Sequence, residues 1–245
     1  LSVDNYLHFY SLTSAFLHEC ELIAPNFNTN GSANTLSDWS RVHITYFIHR
    51  LHLNAVKNLV AESLKEIWKE VVDEKQLSMA QNRVNEVLAY SSFLYSQGRS
   101  GDPTEQWLEA MDITKNVPES EDGFATVENS RIKISQTLFL LPRLGLLAIN
   151  ATRDYFVLLK VFLSRSSTIE NYLLTYFKVL NSKTSQAILG AGATRTAGLK
   201  HIFPKHMALS IQLVGFVISL LEELRNAFPN SSLSIGHNSS ELNSS

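Results

Sequence analysis

Apolar residues recur at three- and four-residue steps along most of this chain, the spacing that gives a helix one buried face. Residues 4 to 23 predict a first helix, with Leu7, Tyr10, Phe16, Leu17, Cys20 and Ile23 on one broad side. A polar loop follows from Pro25 to Leu36, and Thr35-Leu36-Ser37-Asp38 has the spacing of a capping box at the start of a long helix. In that helix Leu53, Val56, Val60, Leu64, Ile67 and Val71 advance by three or four residues each time. The charged run Asp73-Glu74-Lys75 marks a break, after which Leu77, Val84, Val87, Leu88 and Leu94 form a stripe able to fold back on the first. Residues 1–95 are therefore expected to make one helical bundle.

Between residues 96 and 126 the pattern lapses into an acidic linker containing Gly98, Gly101, Pro103 and Pro118. Asp102-Pro103 resembles an N-cap followed by proline at the first helical position, so Thr104 to Asp112 is a candidate short helix. A second bundle is expected over residues 127–229. Its most hydrophobic helix runs from about Ile132 to Leu163, kinked at Pro142 and with Asn150 to Arg153 as a possible break. Ser167-Thr168-Ile169-Glu170 reads as a capping box, opening a helix whose apolar side is Ile169, Tyr172, Leu173, Tyr176, Phe177 and Leu180. A last helix begins at Pro204, carries Met207, Ile211, Val214, Val217, Ile218, Leu221, Leu224 and Phe228 as its stripe, and ends at Pro229. The Ser/Asn-rich residues 230–245 have little to bury and are expected to be a disordered tail.

Gly190, Gly192 and Gly198 stand directly behind a helical pattern, where a nucleotide-binding phosphate turn would require a strand. A dinucleotide fingerprint counted from Gly190 would need glycine at Arg195, and a P-loop counted from Gly192 would need it at Ala197. Small residues here instead suit close backbone approach or a helix end, so the three glycines are read as packing residues at a helix junction. Arg195, Lys200, Lys205 and His206 surround them as a candidate contact patch for a partner or an anion, with ordinary solvated cations as the alternative.

Composition agrees with an all-α protein made of tandem helical bundles. The 245 residues are 44% hydrophobic and 10% aromatic, enough for a continuous core, and neither glycine nor proline occurs between Gly31 and Gly98. Net charge is −2, yet residues 101 to 130 hold eight acidic residues and one basic, whereas 131 to 245 hold twelve basic and five acidic. One cysteine excludes an intramolecular disulfide and suits a reducing compartment. The chain opens on Leu1 without a signal-like segment, as a piece of a longer protein would, and no uninterrupted apolar run reaches membrane-span length.

Candidate chemistry is sparse. His43, His49 and His52 lie on one helix without a carboxylate or thiol at a matching turn, and His18-Glu19 would need histidine at Leu22 to form a zincin motif. Glu66, Glu70, Asp73 and Glu74 alternate with Lys65, Lys69 and Lys75, which reads as helix-surface pairing. Neither an enzyme nor a cofactor is expected.

The run Tyr176 to Ser210, with its LGAGA core, Gly198-Leu199-Lys200, Lys205 and Ala208-Leu209-Ser210, resembles the vacuolar protein sorting-associated protein fifty-four family, subunits of the Golgi-associated retrograde protein (GARP) tethering complex. Similarity extends to Leu138–Ala148 and to Phe47–Val72, with His49-Arg50 and Trp68-Lys69 at family-like positions. The resemblance implies a helical rod and a non-enzymatic subunit that captures endosome-derived vesicles at the trans-Golgi network. It implies the other GARP subunits as partners. SNAREs, small GTPases and the vesicle membrane would be reached through the whole protein, with nucleic acid not expected. It implies a cytoplasmic protein, peripheral on trans-Golgi and endosomal membranes. The rivals are a membrane-surface or anion-binding module built on the patch around Lys200, and a nucleotide-binding enzyme using the glycines.

Overall fold

The computed structural model describes residues 2–23, 32–96, 130–189 and 204–225. The acidic linker with the candidate short helix Thr104–Asp112, the glycine motif with Arg195 and Lys200, and the Ser/Asn-rich tail lie outside these residues. The described residues form an all-α protein with a single small hairpin: α1 (Val3–Ile23), α2 (Ser32–Ser63), α3 (Glu74–Ser96), β1 (Ile132–Ile134), β2 (Thr137–Phe139), α4 (Arg143–Val161), α5 (Ser166–Leu189) and α6 (Pro204–Arg225).

Two compact units divide the chain between Asn54 and Ala55, so α2 belongs to both. This boundary differs from the bundle expected over residues 1–95, because α3 gives its buried face to α4. In the first unit α1 and the start of α2 run antiparallel, held by aromatic contacts: Tyr6 stacks on Phe47 with ring centroids 3.6 Å apart, and Phe9 meets Trp39 edge-on at 6.4 Å. Helix α2 begins at Ser32, before the expected Thr35 cap, and stops at Ser63. The expected stripe fails there. Leu53, Leu64 and Ile67 are exposed, and the buried positions are Ile44, Ile48, His52, Leu59 and Ser63.

In the second unit α3 packs on α4, α4 on α5 and α5 on α6, and α6 returns to α3. Asp73 caps α3, its Oδ1 accepting the amides of Lys75 and Gln76 at 3.0 and 3.1 Å. Leu77, Val84 and Val87 are buried as their spacing predicts. Across the α3–α4 seam Arg153 pairs with Glu86 at 3.3 Å and Arg83 donates to Asn150. Residues 150 to 153 therefore continue α4 and do not break it. Helix α5 follows the 3-10 turn Leu163–Arg165 and buries Ile169, Leu173, Tyr176, Phe177 and Leu180, the expected face. Burial raises the phenols of Tyr155 and Tyr176 far above their ordinary range, so both stay neutral where α4 meets α5.

The hairpin replaces the start of the helix expected from Ile132, and the helix itself begins only at Arg143. Ile132 and Ile134 point inward and Lys133 outward, a period of two, and Ser135 turns the chain at φ 51°. Gln81 of α3 holds β1 through both its amide atoms, accepting from the Lys133 N–H at 2.7 Å and donating to its carbonyl at 3.0 Å. Phe139 meets Phe216 of α6 edge-on at 5.7 Å. Pro142 then stands before the first turn of α4, where its missing N–H costs nothing, and kinks no helix.

Gly145 makes the closest approach in this region: a Cβ there would lie 2.9 Å from the Leu141 Cβ. Gly145→Ala is expected to cost about 1–3 kcal/mol through overpacking, against the slight gain alanine gives in an open helix. Denaturant titration checks it, and a variant as stable as the parent would show that Leu141 yields without strain.

Helix α6 buries Leu209, Leu213, Phe216, Leu220 and Leu224. Among the described members of the expected stripe only Leu224 is buried, Met207, Ile211 and Ile218 are exposed, and Phe228 lies outside the described residues. The helix is apolar on two sides, which makes it long and apolar enough to cross a membrane by length and composition.

Candidate functional site

Helix α4 poses a local problem. Its first amides lack intrahelical acceptors, and Pro142 at the cap position offers no side-chain oxygen. The Gly145 amide bonds back to the Pro142 carbonyl at 2.9 Å. The Leu144 amide finds Glu66, whose Oε2 accepts it at 2.8 Å across 78 residues of sequence. The other oxygen, Oε1, accepts the Trp68 amide at 3.1 Å. One buried carboxylate thus joins the segment after α2 to the start of α4.

Neighbouring contacts extend the clamp. Val71 donates to the Leu141 carbonyl at 3.0 Å, and Glu70 bridges Pro142 in antiparallel fashion. Glu62 accepts Lys65 at 2.9 Å and faces Arg143 at 3.5 Å. The Lys65 hydrogen bond, with Arg143 behind it, holds Glu62 below the usual carboxylate range. Burial pushes Glu66 the other way, above that range, against the opposing pull of the amides and of Arg143. At the centre sits Trp68, 1% exposed, with φ 51° and an indole N–H that has no hydrogen-bond partner among the described residues.

The acidic residues read as surface pairing therefore divide into separate roles. Glu66 is buried beneath α4, Asp73 caps α3, and Glu70 receives Lys205. Lys205 opens α6 and donates to the Glu70 Oε1 at 3.1 Å, so this member of the candidate patch is tied to the clamp. His206 follows it, half-buried. The sequence did carry a signal for Glu66: no Ser, Thr, Asp or Asn stands immediately before Arg143, so the α4 amides require an acceptor from elsewhere.

Of the three candidate histidines, His43 and His52 take part in packing and His49 is exposed. His43 stacks on Trp39 at 4.7 Å and on Tyr6 at 5.9 Å. Burial, reinforced by the neighbouring His49, lowers the His52 imidazole below its ordinary range. Among the described residues no group of three His, Cys, Asp or Glu is placed to hold a metal ion.

The clamp draws together parts of the stretches that carry the family resemblance, from Phe47–Val72, from Leu138–Ala148 and, at Lys205, from Tyr176–Ser210, whose glycine motif lies outside the described residues. Comparison with known proteins points the same way. Residues 136–244 match the family described as Vps54-like protein. Vacuolar protein sorting-associated protein 54 of Schizosaccharomyces pombe is 26% identical over 221 residues, covering 89% of this chain and 22% of that protein. Vacuolar protein sorting-associated protein 54, chloroplastic, of Arabidopsis thaliana is 32% identical over 81 residues, 33% of this chain and 8% of that protein. The chain thus spans less than a quarter of the length of either relative. No solved structure matches it.

Proposed function

We propose that the chain, similar to the Vps54 family over residues 136–244 and along most of its length to a fission-yeast member, is a segment of a non-enzymatic subunit of the GARP vesicle-tethering complex. The observation that carries this reading is the similarity to the fission-yeast protein along 89% of the chain. In this role the segment is a helical scaffold: buried stripes join the helices, and the outer faces are left for other subunits. The process served is retrograde transport from endosomes to the trans-Golgi network, with the protein peripheral on those membranes from the cytoplasmic side.

Size-exclusion chromatography with light scattering tests the reading, using this chain with the other GARP subunits singly and together. Co-elution at a fixed stoichiometry is expected. A folded chain that elutes apart from every subunit and from their mixture would overturn the scaffold role.

A further inference from the structure

The residues between α2 and α3, Leu64–Asp73, contain neither glycine nor proline, and their letters keep the helical spacing of Val56, Val60, Leu64, Ile67 and Val71. A straight helix would also carry the buried line of α2 onto that of α3. Leu59 and Ser63 stand eighteen residues, about five whole turns, before the equally buried Leu77 and Gln81. Inside the gap that line falls on Glu66, Glu70 and Asp73. Three carboxylates on a buried line oppose a helix, and in the structure each takes a partner elsewhere. Glu66 accepts the Leu144 and Trp68 amides, Glu70 receives Lys205, and Asp73 caps α3.

The resulting break is strained. Trp68, a bulky residue, takes a left-handed backbone at φ 51°, and its indole N–H is buried without a partner among the described residues. Glu66 is a buried carboxylate, while the apolar Leu64, Ile67 and Val72 are exposed. Strained backbone and an unmet local preference within one short segment are the marks of a switch region. We propose that Leu64–Asp73 is a conformational switch with two arrangements. In one it is the clamp that holds the first turn of α4; in the other it continues α2 as helix and releases both α4 and Trp68.

Each arrangement satisfies what the other leaves unmet. The helix makes the backbone bonds that the irregular segment lacks, removes the left-handed turn and brings Trp68, with Leu64 and Val71, onto the stripe begun by Val60. The clamp keeps Trp68 in the core and supplies its carboxylates with donors. The balance therefore turns on Glu66 and Glu70. While the α4 amides and Lys205 are in place the clamp is closed, and removing either carboxylate favours the helix.

The test uses the whole chain carrying Trp39→Phe and Trp107→Phe, which leaves Trp68 as its sole tryptophan. Glu66→Leu combined with Glu70→Leu should convert Leu64–Asp73 to helix, raising the far-ultraviolet circular dichroism, and should shift Trp68 emission to the red as the ring leaves the core. Adding Val72→Pro, at an exposed position where proline accepts an extended chain and forbids a helix, should abolish the gain in helix. In the chain with both carboxylates intact, hydrogen exchange should show Leu64–Asp73 opening together while α3 and α5 remain protected. A folded double variant whose helix content does not rise, or whose Trp68 stays as buried as before, overturns the proposal. So does exchange of these amides only through global unfolding, a result that decides the matter even where the double variant fails to fold. Every measurement is made on this chain alone, so its failure is distinguishable from failure of the tethering role.

Discussion

Replacing Trp68 by alanine is expected to cost about 3–5 kcal/mol of unfolding free energy, the usual loss for a buried aromatic truncated to a methyl group. Trp68 stands in an irregular segment between α2 and α3, not on a helix, yet only 1% of it is exposed. Two features of the residue are themselves unfavourable. Its backbone is left-handed, and its indole N–H is buried without an acceptor among the described residues. A residue kept in spite of both must contribute mainly through packing of the ring. Trp68→Phe should therefore be much milder than Trp68→Ala, because it retains an aromatic body and removes the unpartnered donor. Trp68→Gly should be no worse than Trp68→Ala, since glycine alone accepts this φ without strain. Urea unfolding followed by circular dichroism ranks the three variants. An alanine variant within about 0.5 kcal/mol of the parent would show that Trp68 contributes no core packing.

Glu66→Ala is expected to cost about 2–4 kcal/mol, because it strips the acceptor from two buried amides, Leu144 and Trp68, each costing roughly 1–3 kcal/mol when orphaned. Glu66→Gln should cost less, since one oxygen remains, though its NH₂ must then face an N–H. The two variants also separate the effect of charge. Burial holds the folded-state pKa of Glu66 above its ordinary value of 4.5, so the folded state takes up a proton more readily than the unfolded chain. That contribution to stability is fully present below the ordinary value and is lost as pH rises through the raised one. The stability difference between parent and Glu66→Gln should accordingly shift in the parent's favour as pH falls through this window and be flat at neutral pH. A difference that is flat across the window would show that Glu66 titrates as a solvated carboxylate.

What the sequence revealed depended on how many faces each helix uses. Helix α5 buries one side, and Ile169, Leu173, Tyr176, Phe177 and Leu180 could be read directly from their spacing. Helix α6 is apolar on two sides, so spacing alone selected Met207, Ile211 and Ile218, while the core takes Leu209, Leu213, Phe216 and Leu220. The hairpin was invisible for another reason. Strands of three residues supply too few alternations to outweigh the hydrophobic run that follows, and the Ser135-Gln136 turn has neither the glycine nor the asparagine that usually announces one. The expected stripe on α2 continued through Leu64, Ile67 and Val71 because helical spacing persists in the letters after the helix has ended at Ser63. The clamp at Glu66 was the least legible feature, since its other half lies 78 residues away and nothing local marks a carboxylate as buried.

That separation has a bearing on how the molecule is made. A ribosome releases Glu66 and Trp68 well before the amide of Leu144 exists, and Lys205 emerges 135 residues after its partner Glu70. During this interval the segment beyond α2 has no α4 to lie against, and the nascent chain must display its tryptophan to the surroundings. Loop closure over such distances opposes early docking. The second unit should acquire its native form only late in synthesis, and a chain halted before α4 should be recognised by chaperones as unfinished.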